Sequence, residues 1–362
     1  MKEELKTIKE LLDKISQAPS KVFIIGHNEP DFDSIASAIG LHALCKALGK
    51  EAYIIVNDPE STLEPGVKKI KDANIITHNI ISLEEYNLLK DPTSTLIVTD
   101  TNKRDLIALG DMLDDFQDII IVDHHQTGET TIENASYFID QEVSSASEVV
   151  AQLLMSSKTI CEPDVYTYLR AGIILDTGRF RKNTSPRTHD VAKKLMSKEE
   201  NREYVNELFL ADFNTDRVIN DLIFHGTLFQ AYEFSLVQSH NVSFTLNREK
   251  PETIYRRDMI AKAADRMLKY RVDAAFVMGY LAEGIIGISA RSKGAIDVGK
   301  IMAQVGGGGN AQNAGARIEN MPITEVEGIL TRSINYGVEV DGEMAPPEEG
   351  KVIIKPKIKI KV

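Results

Sequence analysis

From Lys21 onward, short apolar runs alternate with longer segments whose apolar residues recur at helical intervals, the pattern of a largely parallel sheet covered by helices on both faces. The runs are KVFIIG, AYIIV, TLIVTD and DIIIVD. Between the first two, Ile35, Ala38, Ile39, Leu41 and Leu44 share helical spacing, and Ser34 and Gly49 read as the cap and stop of that helix. Ser145 with Glu148 three residues later reads as a capping box ahead of VVAQLL. Ser185 and Pro186 read as the N-cap and first position of a helix leaving the first domain. At the start of the chain Leu5, Ile8, Leu11, Leu12 and Ile15 mark a packing helix.

A polar, helix-like stretch over 199–229 separates these elements from a second alternating series. That series contains a strand-like VSFTLN, a helix around DMIAKAADRMLKY, the runs AAFVMGYL and GIIGISAR, a helix IDVGKIMAQV, the loop GGGG, and a final strand and helix. The expected organisation is an α/β domain over 1–198, a helical linker over 199–229, a smaller α/β domain over 230–345 and a tail over 346–362. In the tail, KVIIKPKIKIKV alternates Lys with apolar residues and reads as a protected edge strand rather than a nucleic-acid arm.

Length agrees with this division, since 362 residues exceed what one hydrophobic core usually organises. With 42 Lys+Arg against 54 Asp+Glu, the net charge of -12 repels a phosphate backbone and argues against duplex nucleic acid as a partner. A bound nucleotide must be met locally, by a metal or a loop. Cys45 and Cys161 form neither a disulfide framework nor a thiolate metal site. No apolar run approaches the roughly 20 residues of a membrane span, so a cytoplasmic protein without membrane contact is expected.

The chemistry sits after the apolar runs. In an open α/β sheet, ligands bind beyond the carboxyl ends of the strands. His27, Asp31 and Asp33 follow KVFIIG, Asp100 follows TLIVT, Asp123, His124 and His125 follow DIIIV, and the apolar AGIIL runs into Asp176. Strand geometry would aim all of them at one cleft. Asp31, Asp33, Asp100 and Asp176 cannot all ionise side by side without compensation, and two divalent cations supply it. Imidazole from His27 and His124 mixed with carboxylate suits Mn²⁺ or a similar ion better than Ca²⁺.

These motifs resemble a known family. The strings GHNEPDFDS, VTD, VDHH and ILDTGRF look like the four signature motifs of the DHH phosphoesterase superfamily, and RSKGAIDVGKIMAQVGGGGNAQNAGARI resembles its DHHA1 domain. The resemblance implies one metal on His27, Asp31 and Asp100 and a second on Asp33, Asp100, His124 and Asp176, with Asp100 bridging. It implies that Asp123 orients a neighbouring histidine and that His125 faces the scissile phosphate. Within the superfamily, SSASEVV, ISARSKGAIDVGKIM and GGGG look most like the catalytic portion of the cyclic di-AMP phosphodiesterases. The implied activity is Mn²⁺-dependent hydrolysis of cyclic di-AMP to pApA and of pApA to AMP, with a homodimer as an expectation from the resemblance alone.

In the second domain Arg291 is the candidate for a bidentate phosphate contact, and Ser292 and the run Gly306, Gly307, Gly308 and Gly309 accompany it as substrate-binding candidates. Here the chain departs from the family, which places a histidine after the glycines where this chain has Asn310. Asn310 still donates a hydrogen bond but carries no charge. The alternatives are an oligoribonuclease acting on very short RNA and removing phosphate from pAp, an inorganic pyrophosphatase, and a non-catalytic nucleotide sensor.

Overall fold

The computed structural model describes residues 3–58, 63–128, 130–198, 200–210, 212–233, 238–246, 254–336 and 356–358. The chain divides into two compact units, Met1–Leu210 and Ala211–Val362. The first contains, in order, β1 (Glu3–Glu4), α1 (Ile8–Gln17), β2 (Lys21–Ile25), α2 (Phe32–Ala47), β3 (Glu51–Ile55), α3 (Pro65–Asn74), β4 (Ile80–Ile81), α4 (Leu83–Leu89), β5 (Thr95–Thr99), β6 (Asp118–Asp123), β7 (Ser136–Ile139), α5 (Ala146–Ser156), α6 (Pro163–Asp176), α7 (Pro186–Met196) and α8 (Arg202–Leu208).

Its seven strands hydrogen-bond in the order β1-β7-β6-β5-β2-β3-β4, every pair parallel. From β2 the chain winds outward through β3 and β4, then returns to β5 on the other side of β2. Strand order therefore reverses between β2 and β5, where such sheets open a crevice at their carboxyl ends. Both faces are buried, which explains the unbroken apolar runs. Val22 and Ile24 enter the core shared with α1, α2, α5 and α6, while Phe23 and Ile25 enter the opposite core with Tyr86 and Phe116.

One expected helix start and one expected capping box are corrected. Helix α2 begins at Phe32 and its N-cap is Asp31, whose side chain accepts from the amides of Asp33 and Ser34, so Ser34 lies inside the helix. Ser145 caps α5 by accepting from the Glu148 amide, but the Glu148 carboxylate reaches past it to the Ser144 amide and hydroxyl, so only half of the capping box forms. Ser185 and Pro186 occupy the expected cap and first position of α7, which lies within the first unit rather than leaving it.

The second unit contains α9 (Phe213–Phe224), β8 (Gly226–Glu233), β9 (Gln238–Leu246), α10 (Arg257–Met267), β10 (Ala274–Ala282), β11 (Ile285–Ser292), α11 (Val298–Gln304), β12 (Gly308–Gly309), β13 (Asn313–Glu319), α12 (Ile323–Tyr336) and β14 (Pro356–Ile358). Its sheet runs β12-β13-β11-β10-β9-β8-β14 and is mixed, with β9 and β10 parallel and the other pairs antiparallel. Phe276 and Met278 of β10 pack with α11 and α12, and Ala275 and Val277 pack on the other face with α9 and α10. The stretch expected as a linker is divided between the units, with α8 in the first and α9 in the second. Of the Lys-rich tail, Pro356–Ile358 pairs with β8 at the sheet edge, and the rest lies outside the described residues.

Away from the sheet crevice, His42 of α2 and His78 are buried with their Nδ1 atoms 3.0 Å apart. Burial, then the charge of His78 and of Lys46, lowers His42 to about 3, and burial and Lys46 lower His78 to about 4. Both folded values lie below the unfolded value near 6.5, so the unfolded chain binds more protons in this range. Stability from the pair is complete above about pH 6.5 and is lost as pH falls toward 4. Between pH 7.5 and 5.5 the pair is expected to cost about 2 to 3 kcal/mol. In thermal melts, His78→Leu should flatten the pH slope relative to the native protein, and an unchanged slope refutes the assignment.

Candidate metal centre

The predicted acids and imidazoles of the first unit converge at the carboxyl ends of β2, β5 and β6, at the crevice where strand order reverses. His27 follows β2 and Gly26, where a Cβ would lie 2.0 Å from the Ser34 hydroxyl, so only glycine lets the strand end meet α2 this closely. Asp31 and Asp33 open α2, Asp100 follows β5, Asp123 closes β6, and His124 and His125 come next. Asp176 needs a correction. It lies not beyond a strand but at the end of α6, which Pro163 starts and which runs for 14 residues. A fully buried helix and a buried strand both read as continuous apolar runs, so AGIIL carried no period to tell them apart.

Asp100 occupies the middle. Its backbone is left-handed, with φ of 59°, a conformation costly for a residue with a Cβ and tolerated best by Asn and Asp. One oxygen, Oδ2, lies 3.4 Å from His27 Nε2, and the other, Oδ1, lies 3.4 Å from His124 Nε2. His27 Nε2 is also 4.0 Å from Asp31 Oδ1. His124 Nε2 is 3.3 Å from Asp176 Oδ2 and 3.9 Å from Asp33 Oδ2. Thus two donor sets, His27 with Asp31 and Asp33 with His124 and Asp176, meet at the two oxygens of one carboxylate.

The donors fit divalent cations. Asp100 Oδ1 and His124 Nε2 are buried without a hydrogen-bond partner, a costly arrangement for polar atoms unless something else satisfies them. Two nitrogen or oxygen ligands each about 2.1 Å from a shared ion, at angles between 90° and tetrahedral, stand about 3.0 to 3.4 Å apart. Separations of 3.3 and 3.4 Å match that span. His27 Nδ1 lies 2.8 Å from the Asn28 carbonyl, which keeps its proton there and leaves Nε2 for the cluster.

The electrostatics without a cation are severe. Burial and then the charge of Asp100 push Asp33 up to about 8, and the same two causes raise Asp31. Burial, with Asp33 and Asp31 behind it, holds Asp176 well above the carboxylate range. Burial alone would raise Asp100 too, but His124 and His27 outweigh it and hold Asp100 well below. Those imidazoles rise to about 10, because pairing with Asp100 and the neighbouring acids overcomes a burial that would lower them. The cluster gathers protons where positive charge is missing, and cations binding there replace them.

Helix packing holds the acids in place. Both oxygens of Asp33 accept from the first amides of α5, Ala146 N to Oδ2 and Ser147 N to Oδ1, each at 2.8 Å. Opposite them, Gly172 of α6 lies so close that a Cβ would stand 2.2 Å from Ser147 Oγ and 2.9 Å from Asp33 Oδ1. Neither feature follows from the spacing of acids and histidines. The Ser-Ala-Ser-Glu cap located the start of α5, and a glycine inside the apolar AGIIL run was the available sign of close approach. His125 is half exposed, with Nδ1 held 2.9 Å from the buried Asp123 Oδ1.

The candidates of the second unit group at one end of its own sheet. Arg291 and Ser292 end β11, and Arg291 pairs with Asn313 of β13. Asp265 accepts from Arg291 Nε at 2.9 Å and the Ala290 carbonyl accepts from Nη1 at 3.0 Å, which orients the guanidinium and leaves its Nη2 edge. The Ser292 hydroxyl accepts from the amides of Gly294 and Ile296 and so closes the turn toward α11. Gly306 adopts φ of 80°, and a Cβ on Gly307 or Gly309 would strike β13, whereas Gly308 faces open space. Asn310 Oδ1 accepts from the amides of Gln312 and Asn313, which fixes its carboxamide within the turn.

Family models match both units: the DHH family N-terminal domain over residues 21–173 and the DHHA1 domain over 241–335. The chain carries a DHH domain followed by a DHHA1 domain. This DHH protein is 28% identical over 336 residues to the cyclic-di-AMP phosphodiesterase GdpP of Bacillus subtilis, with 91% of the chain and 50% of that protein covered. The chain therefore spans about half the length of such curated relatives. It is 24% identical over 330 residues to the bifunctional oligoribonuclease and PAP phosphatase NrnA of Thermus thermophilus, covering 89% of the chain and 91% of that protein. Its fold is similar to that of an exopolyphosphatase-related protein from Bacteroides fragilis, with a TM-score of 0.70 at 19% identity over 90% of this chain and 96% of the other.

Two outcomes follow for this DHH centre. Free Mn²⁺ at about 100 times its Kd is expected to raise unfolding free energy by about 2.7 kcal/mol per ion bound over chelator-treated protein, and Asp100→Asn should lose most of that gain in thermal melts. An equal gain in Asp100→Asn removes Asp100 from the site. Gly172→Ala should weaken Mn²⁺ binding by about 10-fold or more in calorimetry while α6 still folds, and native affinity in that variant denies the packing any part in ligand placement.

Proposed function

We propose that this DHH protein is a two-metal phosphodiesterase that uses Mn²⁺ to hydrolyse cyclic di-AMP to pApA and then pApA to AMP. One observation carries the reading: a single buried carboxylate, Asp100, offers its two oxygens to two separate sets of imidazole and carboxylate donors. The assigned ligands are His27, Asp31 and Asp100 for one ion and Asp33, Asp100, His124 and Asp176 for the other. Nitrogen mixed with carboxylate and free of thiolate suits Mn²⁺ or a similar transition ion better than Ca²⁺. The likeness to GdpP across 91% of the chain supports the cyclic substrate.

Cations in these donor sets supply the concentrated positive charge that attack at a phosphodiester requires. The chain's own residues do the rest. Hydrolysis adds water across one P–O bond, leaving a phosphomonoester and a 3′ hydroxyl. His125, held at Nδ1 by Asp123, directs Nε2 at a nonbridging oxygen of the scissile phosphate and stabilises its growing charge. Arg291, braced at Nε by Asp265, meets a phosphate with its Nη2 edge, and Asn310 donates from Nδ2. Gly308, open to solvent, lets a ligand approach the backbone.

A second reading has its own support. NrnA is matched over 91% of its length, so two units of this kind account for nearly all of that protein, and short RNA and pAp are the substrates its name indicates. With Mn²⁺ and equal concentrations of cyclic di-AMP, pApA, pAp and a short RNA, the expected order places the two dinucleotides first, with no turnover in chelator. Faster AMP release from pAp or RNA selects the second reading, and tight cyclic di-AMP binding without product selects a sensor.

A further inference from the structure

We propose that Asn102 is a positioning residue that acts through Asp123 on His125, an inference that rests on the reading of His125 as the group facing the scissile phosphate. Asn102 is buried two residues beyond Asp100. Every polar group of its side chain is engaged. Its Nδ2 donates to Asp123 Oδ2 at 2.6 Å and to the His125 carbonyl at 3.2 Å, and its Oδ1 accepts from the Thr131 hydroxyl at 3.3 Å. The backbone is clamped as well, since Ile132 N donates to the Asn102 carbonyl at 2.8 Å and Arg104 N to the Thr130 carbonyl at 2.9 Å.

Asp123 is consequently surrounded by donors. Its Oδ1 accepts from the amides of His124 and His125 at 2.8 and 3.2 Å and faces His125 Nδ1 at 2.9 Å. Its Oδ2 accepts from Asn102. One oxygen orients the histidine loop, and Asn102 fixes the other, so the carboxylate cannot rotate without breaking that bond. The carboxamide has one workable orientation, because the flipped form would set Oδ1 against Asp123 and an NH₂ against nothing that accepts equally well. Asn102 thereby fixes which way His125 Nε2 points without itself reaching ligand or cation. A carboxylate at the same position would face Asp123 with like charge.

The test compares Asn102→Ala and Asn102→Ser, each alone and with His125→Ala, using pApA and cyclic di-AMP in Mn²⁺. Asn102→Ala is expected to lower kcat by about 10- to 100-fold with KM little changed, and Asn102→Ser, which keeps a donor, to recover part of the loss. In the His125→Ala background the Asn102 effect should nearly vanish, because both substitutions remove one function. Calorimetry should find Mn²⁺ affinity unchanged. NMR of ¹⁵N-histidine-labelled protein without substrate should lose the hydrogen-bonded Nδ1–H signal of His125 in Asn102→Ala. Losses that multiply in the double variant, Mn²⁺ affinity falling in step with kcat, or an unchanged Nδ1–H signal would each overturn the proposal. A His125→Ala protein with native kcat instead defeats the reading of His125, and the NMR signal still decides whether Asn102 orients the ring.

Discussion

The structure of the first unit turns on one buried carboxylate, Asp100, whose two oxygens are each approached by a different imidazole. Charge of one sign inside a protein is tolerable only with close compensation, since the interior screens far less than water. Three further acids, Asp31, Asp33 and Asp176, press on the same volume, and each is driven toward its protonated form. Such a cluster lowers stability unless cations complete it. It lies at the point where strand order reverses, which is where an open α/β sheet offers a crevice to ligands.

Sheet topology alone would not assemble the cluster, because only His27, Asp100, Asp123, His124 and His125 lie at or just beyond strand ends. Helices bring the others. Asp31 begins α2 as its N-cap, so the turn that ends β2 both starts a helix and aims a carboxylate at His27. Asp33 faces the start of α5, where free amides and the positive end of the helix suit a carboxylate. Gly172 admits α6 close enough for its last residue, Asp176, to approach His124. Local capping, helix packing and ligand placement are therefore one arrangement, and a change in any one of them reaches the metal site.

Much of this was legible from residue order. Parallel strands buried on both faces produce short apolar runs, and acids placed just after them mark the crevice, so His27, Asp100 and His124 were recognisable before any fold was known. What escaped shares a physical cause: it depends on distances between segments remote in the chain. Ser34 looked like a cap because a hydroxyl before an apolar period usually is one, yet Asp31 already accepts from the amides of Asp33 and Ser34, so the helix has begun before Ser34 is reached. Helix α6 hid within an apolar run because burial on all sides erases the period that distinguishes helix from strand. Asn102 carries no motif at all, and its role exists only because the segment after β5 lies against the loop after β6.

The two units divide the problem in a way that bears on substrate choice. A metal centre of this kind recognises phosphorus and its oxygens, which cyclic di-AMP, pApA, pAp and RNA all share, so it discriminates weakly among them. Under the proposed function, selection would fall to groups that read the rest of the molecule, and the candidates for this in the second unit are neutral or already partly neutralised. Arg291 is braced by Asp265, and Asn310 stands where the resemblance to the DHHA1 domain implies a histidine. The loop accounts for the replacement in structural terms, because Asn310 Oδ1 organises the turn by accepting from Gln312 and Asn313. An imidazole filling that role must keep one nitrogen unprotonated, so its charge would come at the expense of the turn. Asparagine separates the two tasks, giving a fixed turn and a donor whose strength does not vary with pH.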